Sequence, residues 1–254
     1  MKYEIRVNHY APKRRGSEHE NPSHSVCYGF CNFNCLFCNF RSRPNSSYTE
    51  YDGKSFDSLL DELFKTSKNF KFSGGEPTLN PKIIEHLTKV KNRGGVVYLD
   101  TNGSIPSVIE KLLQLELVDV LGISLKGVTR EEAVQVSRAA PSLAWDNVFQ
   151  TLSIAGHYLK THTIVTLVFT ESNYRGRIDR FAKLIQDIPN VQLKINNLQR
   201  DDHKKGAYEL VRVQPKLLAD EVEQFLFKNP EWKGRTILIN SDDAVSTYSK
   251  IDFY

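Results

Sequence analysis

Cys31-Asn-Phe-Asn-Cys35-Leu-Phe-Cys38 sets three thiols within eight residues and supplies no fourth at zinc spacing. A structural zinc site takes four closed ligands, usually as two separated pairs. An iron–sulfur cube has four metal corners, each normally held by one thiolate. Three thiolates on one short loop therefore hold three irons and leave the fourth open to something that is not protein. The competing reading is a cysteine-rich loop that binds zinc or nothing, although Cys clusters in intracellular chains point to metal or catalysis more often than to disulfides. Cys27 is either a fourth ligand, which would close the cluster, or a small apolar residue buried in the preceding strand. Free Cys is among the most buried residue types, which favours the core reading.

Lys71-Phe-Ser-Gly-Gly-Glu-Pro-Thr78 follows about one βα unit downstream. Asn69 to Phe72 reads as a short strand, Ser73-Gly74-Gly75 lets backbone approach a ligand, and Glu76 offers a carboxylate to a cation. Alone, Gly-Gly-Glu-Pro is an ordinary turn. At a strand end after a three-Cys loop, the pair resembles the radical S-adenosylmethionine (radical SAM) superfamily. The resemblance spans residues 25 to 200. It implies a [4Fe–4S] cluster on Cys31, Cys35 and Cys38, with its open iron chelating the amino and carboxylate groups of S-adenosylmethionine. It further implies that Phe37 lies near the adenine and that Ser73, Gly74, Gly75, Glu76 and Pro77 meet the methionyl amino group.

The chain alternates short apolar strands with amphipathic helices, the pattern of a parallel sheet with crossover helices. Strands are expected at 25–28, 69–72, 96–99, 118–124, 163–169 and 191–195, with a further one at 236–239. Phe56, Leu59, Leu60, Leu63 and Phe64 repeat at one-face helical spacing, as do Ile83, Ile84, Leu87 and Val90. Asn80-Pro81 reads as a helix start, Thr129-x-x-Glu132 as a capping box, and Ser142 as the cap of a helix running to about Leu159. Right-handed crossovers curl such a sheet into an α/β partial (βα)6 barrel with helices outside. The radical SAM core is also a partial barrel of this kind. The expected division is an N-terminal extension at 1–24 capping the barrel, the core at 25–210, and a C-terminal helix and strand at 211–254. Parallel sheets of this class place chemistry at the carboxyl ends of their strands, where the cysteine loop, Ser-Gly-Gly-Glu-Pro, Asp100-Thr-Asn-Gly103 and Ser124-Leu-Lys126 all fall.

Those last two stretches narrow the resemblance toward single-cluster activating enzymes of pyruvate formate-lyase and anaerobic ribonucleotide reductase. On that basis Thr101, Asn102, Ser124, Lys126 and Asn197 join the candidate cofactor contacts. Lys126 is also the candidate catalytic residue, meeting the carboxylate of S-adenosylmethionine or of substrate; its bland alternative is a solvated Lys near a turn. Asn196 and Asn197 either contact the cofactor or simply form a turn. The departures are specific. Ser124 stands where the formate-lyase activases carry the Asp that joins an Asp-Thr pair on a monovalent cation, leaving a cation at Asp100 and Thr101 open. An apolar residue near Val165 replaces an expected Arg, and His9-Tyr-Ala-Pro-Lys-Arg-Arg-Gly16 does not reproduce the glycyl-activase segment.

The remaining composition excludes more than it assigns. At 40% hydrophobic and 25% charged residues the chain has ordinary globular content, and its net charge of +4 does not by itself imply nucleic acid. No apolar run reaches membrane-spanning length, and residues 1–15 lack a signal-peptide core. Only four cysteines occur, three of them in the loop, and oxygen attacks an exposed cluster with an open iron, so a reducing, anaerobic cytoplasm is expected. Lys13, Arg14, Arg15, Arg41 and Arg43 read as a basic rim for an anionic substrate or as plain surface charge, and Arg200 to Lys205 as a solvated loop. The expected function is hydrogen abstraction from a small-molecule or peptide substrate, served by a low-potential electron donor such as flavodoxin or ferredoxin. The alternatives are an activase acting on a glycyl radical enzyme, and a non-catalytic iron–sulfur electron carrier, which would need Cys27 as fourth ligand.

Overall fold

Branched and aromatic residues alternate along the strands, so each strand has one face that only helices can cover. In β4 (Asn69–Gly74), Phe70 and Phe72 are fully buried while Lys71 and Ser73 keep partial exposure. In β5 (Val96–Thr101), Val97 and Leu99 are buried and Tyr98 and Asp100 are not. The buried set packs with the helices into one continuous core, running from Val26 through Leu99, Leu121 and Leu193 to Leu238. The other set faces a concave side, whose floor is Val120, Ile164 and Ile237 with Tyr98 and Ile239 packed against them.

The protein is described from a computed structural model, which covers residues 5–10, 23–38, 49–51, 56–198, 210–240 and 245–247. The basic rim of Lys13, Arg14, Arg15, Arg41 and Arg43 and the Arg200 to Lys205 loop lie outside the described residues. The remaining strands are β1 (Ile5–Tyr10), β2 (Ser23–Tyr28), β3 (Thr49–Tyr51), β6 (Val120–Ser124), β7 (His162–Phe169), β8 (Val191–Asn197), β9 (Thr236–Ile239) and β10 (Val245–Thr247). The sheet order is β10-β9-β8-β7-β6-β5-β4-β2-β1-β3. From β2 to β9 every neighbouring pair is parallel, giving seven parallel strands in sequence order. The six βα units expected from the sequence are present, and β9 extends the run beside β8.

The sequence reading assigns no strand before Ser25. The structure has β1, which pairs antiparallel with β2 on one side and with β3 on the other. Its Ile-Arg-Val-Asn sequence is too polar to stand out beside the apolar parallel strands. β8 likewise runs to Asn197, two residues beyond the expected Ile195.

Helices α1 (Phe56–Leu63), α2 (Ile83–Asn92), α3 (Pro106–Gln114), α4 (Arg130–Ser137), α5 (Asn147–Ala155), α6 (Arg177–Ile185) and α7 (Pro215–Lys228) connect the strands. The capping box at α4 forms on one side only. Thr129 Oγ1 accepts from Glu132 N at 3.2 Å, while the Glu132 carboxylate takes Val128 N and a part-buried ion pair with Arg177. Asn80 closes its own turn by accepting from Lys82 N, so α2 begins at Ile83 rather than at Pro81. Ser142 opens a wide π-type turn, and the regular helix starts at Asn147 and ends at Ala155. No helix among the described residues is long and apolar enough to cross a membrane.

Candidate active site at the strand carboxyl ends

The cysteine loop leaves the carboxyl end of β2 and crosses the tips of β4, β5 and β6. Three sets of contacts hold it there. Gly75 N donates to Tyr28 O at 2.6 Å, and Glu76 N donates to Phe30 O at 2.7 Å. Two glycines permit this approach: a Cβ on Gly75 would stand 2.0 Å from Phe30 O, and Gly74, at φ +101°, would drive one to 2.6 Å from the Tyr28 backbone. The sequence argument that Gly-Gly opens backbone space is thus realised between two loops of the chain itself.

The second set joins the loop to the end of β5. Asn102 Nδ2 donates to Asn32 Oδ1 at 2.9 Å and lies 3.9 Å from Cys31 Sγ. Asn32 Nδ2 in turn donates to Ser104 Oγ at 2.8 Å. The turn carrying them is fixed from behind by Asn147 and Thr151 of α5, which donate to the Ser104 and Gly103 carbonyls.

Third, the loop docks on the end of α4. Asn34 N and Leu36 N donate to the Ser137 and Val136 carbonyls at 2.8 and 2.9 Å, satisfying acceptors that a helix C-terminus leaves open. Phe33 is buried with Ala133 and Ala144, and Cys31 and Cys35 pack against that cluster.

Glu76 is the centre of the arrangement. Its side chain is buried, and Oε1 accepts from Thr78 N, Thr78 Oγ1 and Thr101 Oγ1 while Oε2 accepts from Asn102 N. Burial pushes its pKa up, and these hydrogen bonds work in the opposite direction. The sequence reading offers this carboxylate to a cation; the structure spends it on the chain, where it ties the β4 end to the β5 end. Thr101 is spent the same way, on Glu76.

Asp100 points to the opposite, concave side. Lys71 Nζ lies 2.9 Å from its carboxylate, and Ser73 Oγ donates to it at 3.4 Å. Burial acts to raise the Asp100 pKa, but Lys71, Lys194 and Lys126 together hold it below the usual carboxylate range. An ammonium of the chain therefore stands beside Asp100, and the Thr101 hydroxyl that would complete a shared cation site faces away. Lys126 Nζ is 5.9 Å from the Phe37 ring centroid, and its charge reaches Cys31 as well as Asp100. Ser124 faces the same concavity. The two candidate asparagines separate. Asn197 donates to Val213 O and Asn240 Oδ1 and accepts from Val213 N, a buried tie to the segment before α7. Asn196, one residue earlier, takes the concave face.

Cys31, Cys35 and Cys38 are half-buried, Cys27 is buried in β2 beside Ser73, and none is disulfide-bonded. Among the described residues no three His, Cys, Asp or Glu side chains gather closely enough to hold a single metal ion. A donor set of separate thiols on one loop suits a multi-iron group, which takes one thiolate per iron. Burial pushes the Cys31 thiol up to about 11, so holding it as thiolate asks for positive charge in direct contact.

Residues 25–189 match the Radical SAM superfamily. The chain belongs to that superfamily. As a radical SAM enzyme it uses a [4Fe–4S] cluster and S-adenosylmethionine, a pair that the half-buried thiols fit. It is 27% identical over 164 residues to a protein of Saccharolobus islandicus named as a GTP 3′,8-cyclase, covering 62% of this chain and 50% of that one. It is 33% identical over 101 residues to a Methanocaldococcus jannaschii protein named as a glycyl-radical enzyme activating enzyme, covering 39% and 40% respectively. This radical SAM chain thus spans about half or less of the length of those relatives. The fold is shared with Streptococcus suis SuiB bound to S-adenosylmethionine, at TM-score 0.59 and 14% identity over 84% of this chain and 48% of that one.

Sequence reasoning found the thiols and Glu76 but missed Asn32, Ser104 and the seat on α4. An Asn inside a Cys-rich loop and a Ser after Asn-Gly carry no periodic signal. Only the meeting of two loops in space gives them a role.

Proposed function

We propose that this radical SAM enzyme abstracts hydrogen from a small-molecule or peptide substrate bound on the concave face of its sheet. The observation that carries this reading is the convergence of the three-thiol loop, the Glu76 bracket and a partly accessible, polar concave face at one end of the parallel strands. When bound, the cluster and S-adenosylmethionine supply a 5′-deoxyadenosyl radical and methionine, by one-electron reductive cleavage of the sulfonium.

Cys31, Cys35 and Cys38 hold the cluster. Ser73 to Pro77 and Asn102 form the wall beside it, with Glu76 setting the position of Asn102 rather than contacting ligand. Phe37 and Lys126 sit together at the adjacent rim, where Lys126 orients a carboxylate. Ser124 adds a hydroxyl, and the docked loop keeps water from the reacting atoms. A low-potential donor such as flavodoxin or ferredoxin delivers the electron. Of the proposed N-terminal cap only residues 5–10 and 23–24 are described; β1 and β3 flank the core at one end of the sheet, and β9 and β10 at the other.

The 33% identity to a protein named as a glycyl-radical enzyme activating enzyme favours a second reading, in which the substrate is a glycine of a partner protein. The test uses anaerobically reconstituted, reduced protein. Formation of 5′-deoxyadenosine from S-adenosylmethionine is expected, and its absence with a fully loaded cluster overturns the enzyme reading. Deuterium passing from a small substrate into 5′-deoxyadenosine supports the first substrate class. A persistent glycyl doublet on a partner protein, seen by electron paramagnetic resonance, supports the second.

A further inference from the structure

We propose that Asn102 tunes the cluster: its side-chain N–H donates to the Cys31 sulfur and makes the cluster easier to reduce. This deepens the reading above and rests on its assignment of Cys31 as an iron ligand. The orientation of the Asn102 amide follows from donor chemistry. Ser104 N can only donate, so the Asn102 atom that meets it at 2.9 Å is the oxygen, Oδ1. Nδ2 therefore takes the other side, where it donates to Asn32 Oδ1 at 2.9 Å and lies 3.9 Å from Cys31 Sγ. An amide NH2 has two hydrogens, so one serves Asn32 and the second is left for the sulfur. Asn32 is oriented by the same logic. Its oxygen faces Asn102, and its Nδ2 donates to Ser104 Oγ at 2.8 Å.

The donor is held so that it cannot drift. Asn102 is only 7% exposed, and its backbone N–H donates to Glu76 Oε2 at 2.6 Å. Gly103, at φ +75°, turns the chain so that Ser104 N reaches back to the Asn102 side chain. Gly103 N donates to Thr101 Oγ1, and α5 holds the Gly103 and Ser104 carbonyls through Thr151 and Asn147. Ser104 itself is buried. In such low-dielectric surroundings a fixed dipole acts on a nearby charge more strongly than it would in water.

Charge gives the direction of the effect. Reduction adds one electron to the cluster, and its thiolate sulfurs carry part of the added charge. Hydrogen bonds to those sulfurs favour the more negative state and raise the reduction potential. Cys31 has two such donors. Phe33 N donates to its Sγ at 3.4 Å from within the loop, and Asn102 approaches from the end of β5. No side-chain substitution removes the backbone N–H of Phe33, so Asn102 is the donor that a change of side chain can adjust. It lies 71 positions from the sulfur it serves, on the sheet rather than on the cysteine loop. The match between the cluster and its electron donor is therefore set partly by the strand end that Glu76 holds in place.

The test is a redox titration of cluster-loaded protein without S-adenosylmethionine, followed by the electron paramagnetic resonance signal of the reduced cluster. Asn102→Ala should lower the midpoint by about tenfold in the reduction equilibrium, which is about 59 mV for one electron. Asn32→Ala disturbs the same contact between loops but leaves the Asn102 donor on the sulfur, and should move the midpoint much less. An unchanged midpoint in Asn102→Ala, or equal falls in the two variants, overturns the proposal. Where Asn102→Ala takes up too little iron, Asn102→Asp replaces it, because the new carboxylate still accepts from Ser104 N. With labelled nitrogen in the asparagine side-chain amides, pulsed resonance of the reduced parent should show a coupled nitrogen that Asn102→Asp lacks. No coupling in the parent, or the same coupling in Asn102→Asp, also overturns it. A loaded enzyme that makes no 5′-deoxyadenosine would defeat the functional reading alone, since both measurements are read without turnover.

Discussion

Glu76 acts on this site through other residues, and that changes what its removal should do. Four donors converge on the buried carboxylate. Glu76→Ala leaves them without an acceptor, at a cost of about 2–5 kcal/mol in stability by chemical denaturation. Glu76→Gln keeps the shape but places an amide N–H against donors, and should cost less. Cofactor affinity should fall in both variants, because Asn102 loses its anchor; unchanged stability in Glu76→Ala would refute the bracket. The cysteines separate cleanly. Cys31→Ala, Cys35→Ala or Cys38→Ala should abolish the iron–sulfur absorbance of reconstituted protein, while Cys27→Ala, a substitution inside β2, should retain it. Loss of the cluster in Cys27→Ala with native circular dichroism would reverse the assignment of ligands. At this scale the sequence was readable where chemistry is rare, in the thiols and in Gly-Gly-Glu-Pro. It was unreadable where common polar residues act in pairs: Asn196 and Asn197 differ in role only because a strand puts them on opposite faces.

Elements are joined by contacts whose strength depends on burial, and one of them titrates. The His86 ring of α2 stacks on Phe56 of α1 with centroids 4.0 Å apart, and its Nδ1 shares a hydrogen bond with the Tyr28 hydroxyl of β2 at 2.7 Å. Burial pulls the His86 pKa down to about 4, whereas the unfolded ring titrates near 6.5. Above that unfolded value both states are neutral and the full stability is present. Between about 6.5 and 4 the unfolded state binds the extra proton, so stability falls with pH, by roughly 2–3 kcal/mol in all. Urea midpoints measured from pH 7 to pH 4 should show this loss, and His86→Phe should flatten the part of it that belongs to the ring. A second contact is steric. Gly75→Ala forces a methyl onto Phe30 O and should lower both stability and cluster loading. Gly94→Ala meets open space at φ +73° and should cost only about 1 kcal/mol, with loading unchanged. Helix and strand order were legible because apolar period dominates both. The start of α4 behind Thr129 was legible as well, whereas Asn80 and Ser142 open turns that precede the regular helices.

At the scale of the whole molecule, seven parallel strands in sequence order make one face core and the other a working surface. That division was legible, because strand alternation and right-handed crossovers leave few other solutions. The edge was not. β1 is a mixed-polarity strand whose partner choice depends on which strand edge is left open, and the sequence does not display edges. Its placement bears on how the cysteine loop is made ready. β1 pairs with β2, which enters that loop, and with β3, which follows it. The roughly 20 residues between β2 and β3 therefore have both ends pinned to one strand before any iron arrives. Closing a free loop of that size costs on the order of 3 kcal/mol in chain entropy, a term that β1 has already removed. Cluster assembly then draws on thiols held at high local concentration, and a chain lacking residues 1–10 should need more iron and sulfide to reach the same occupancy, even if its core still folds.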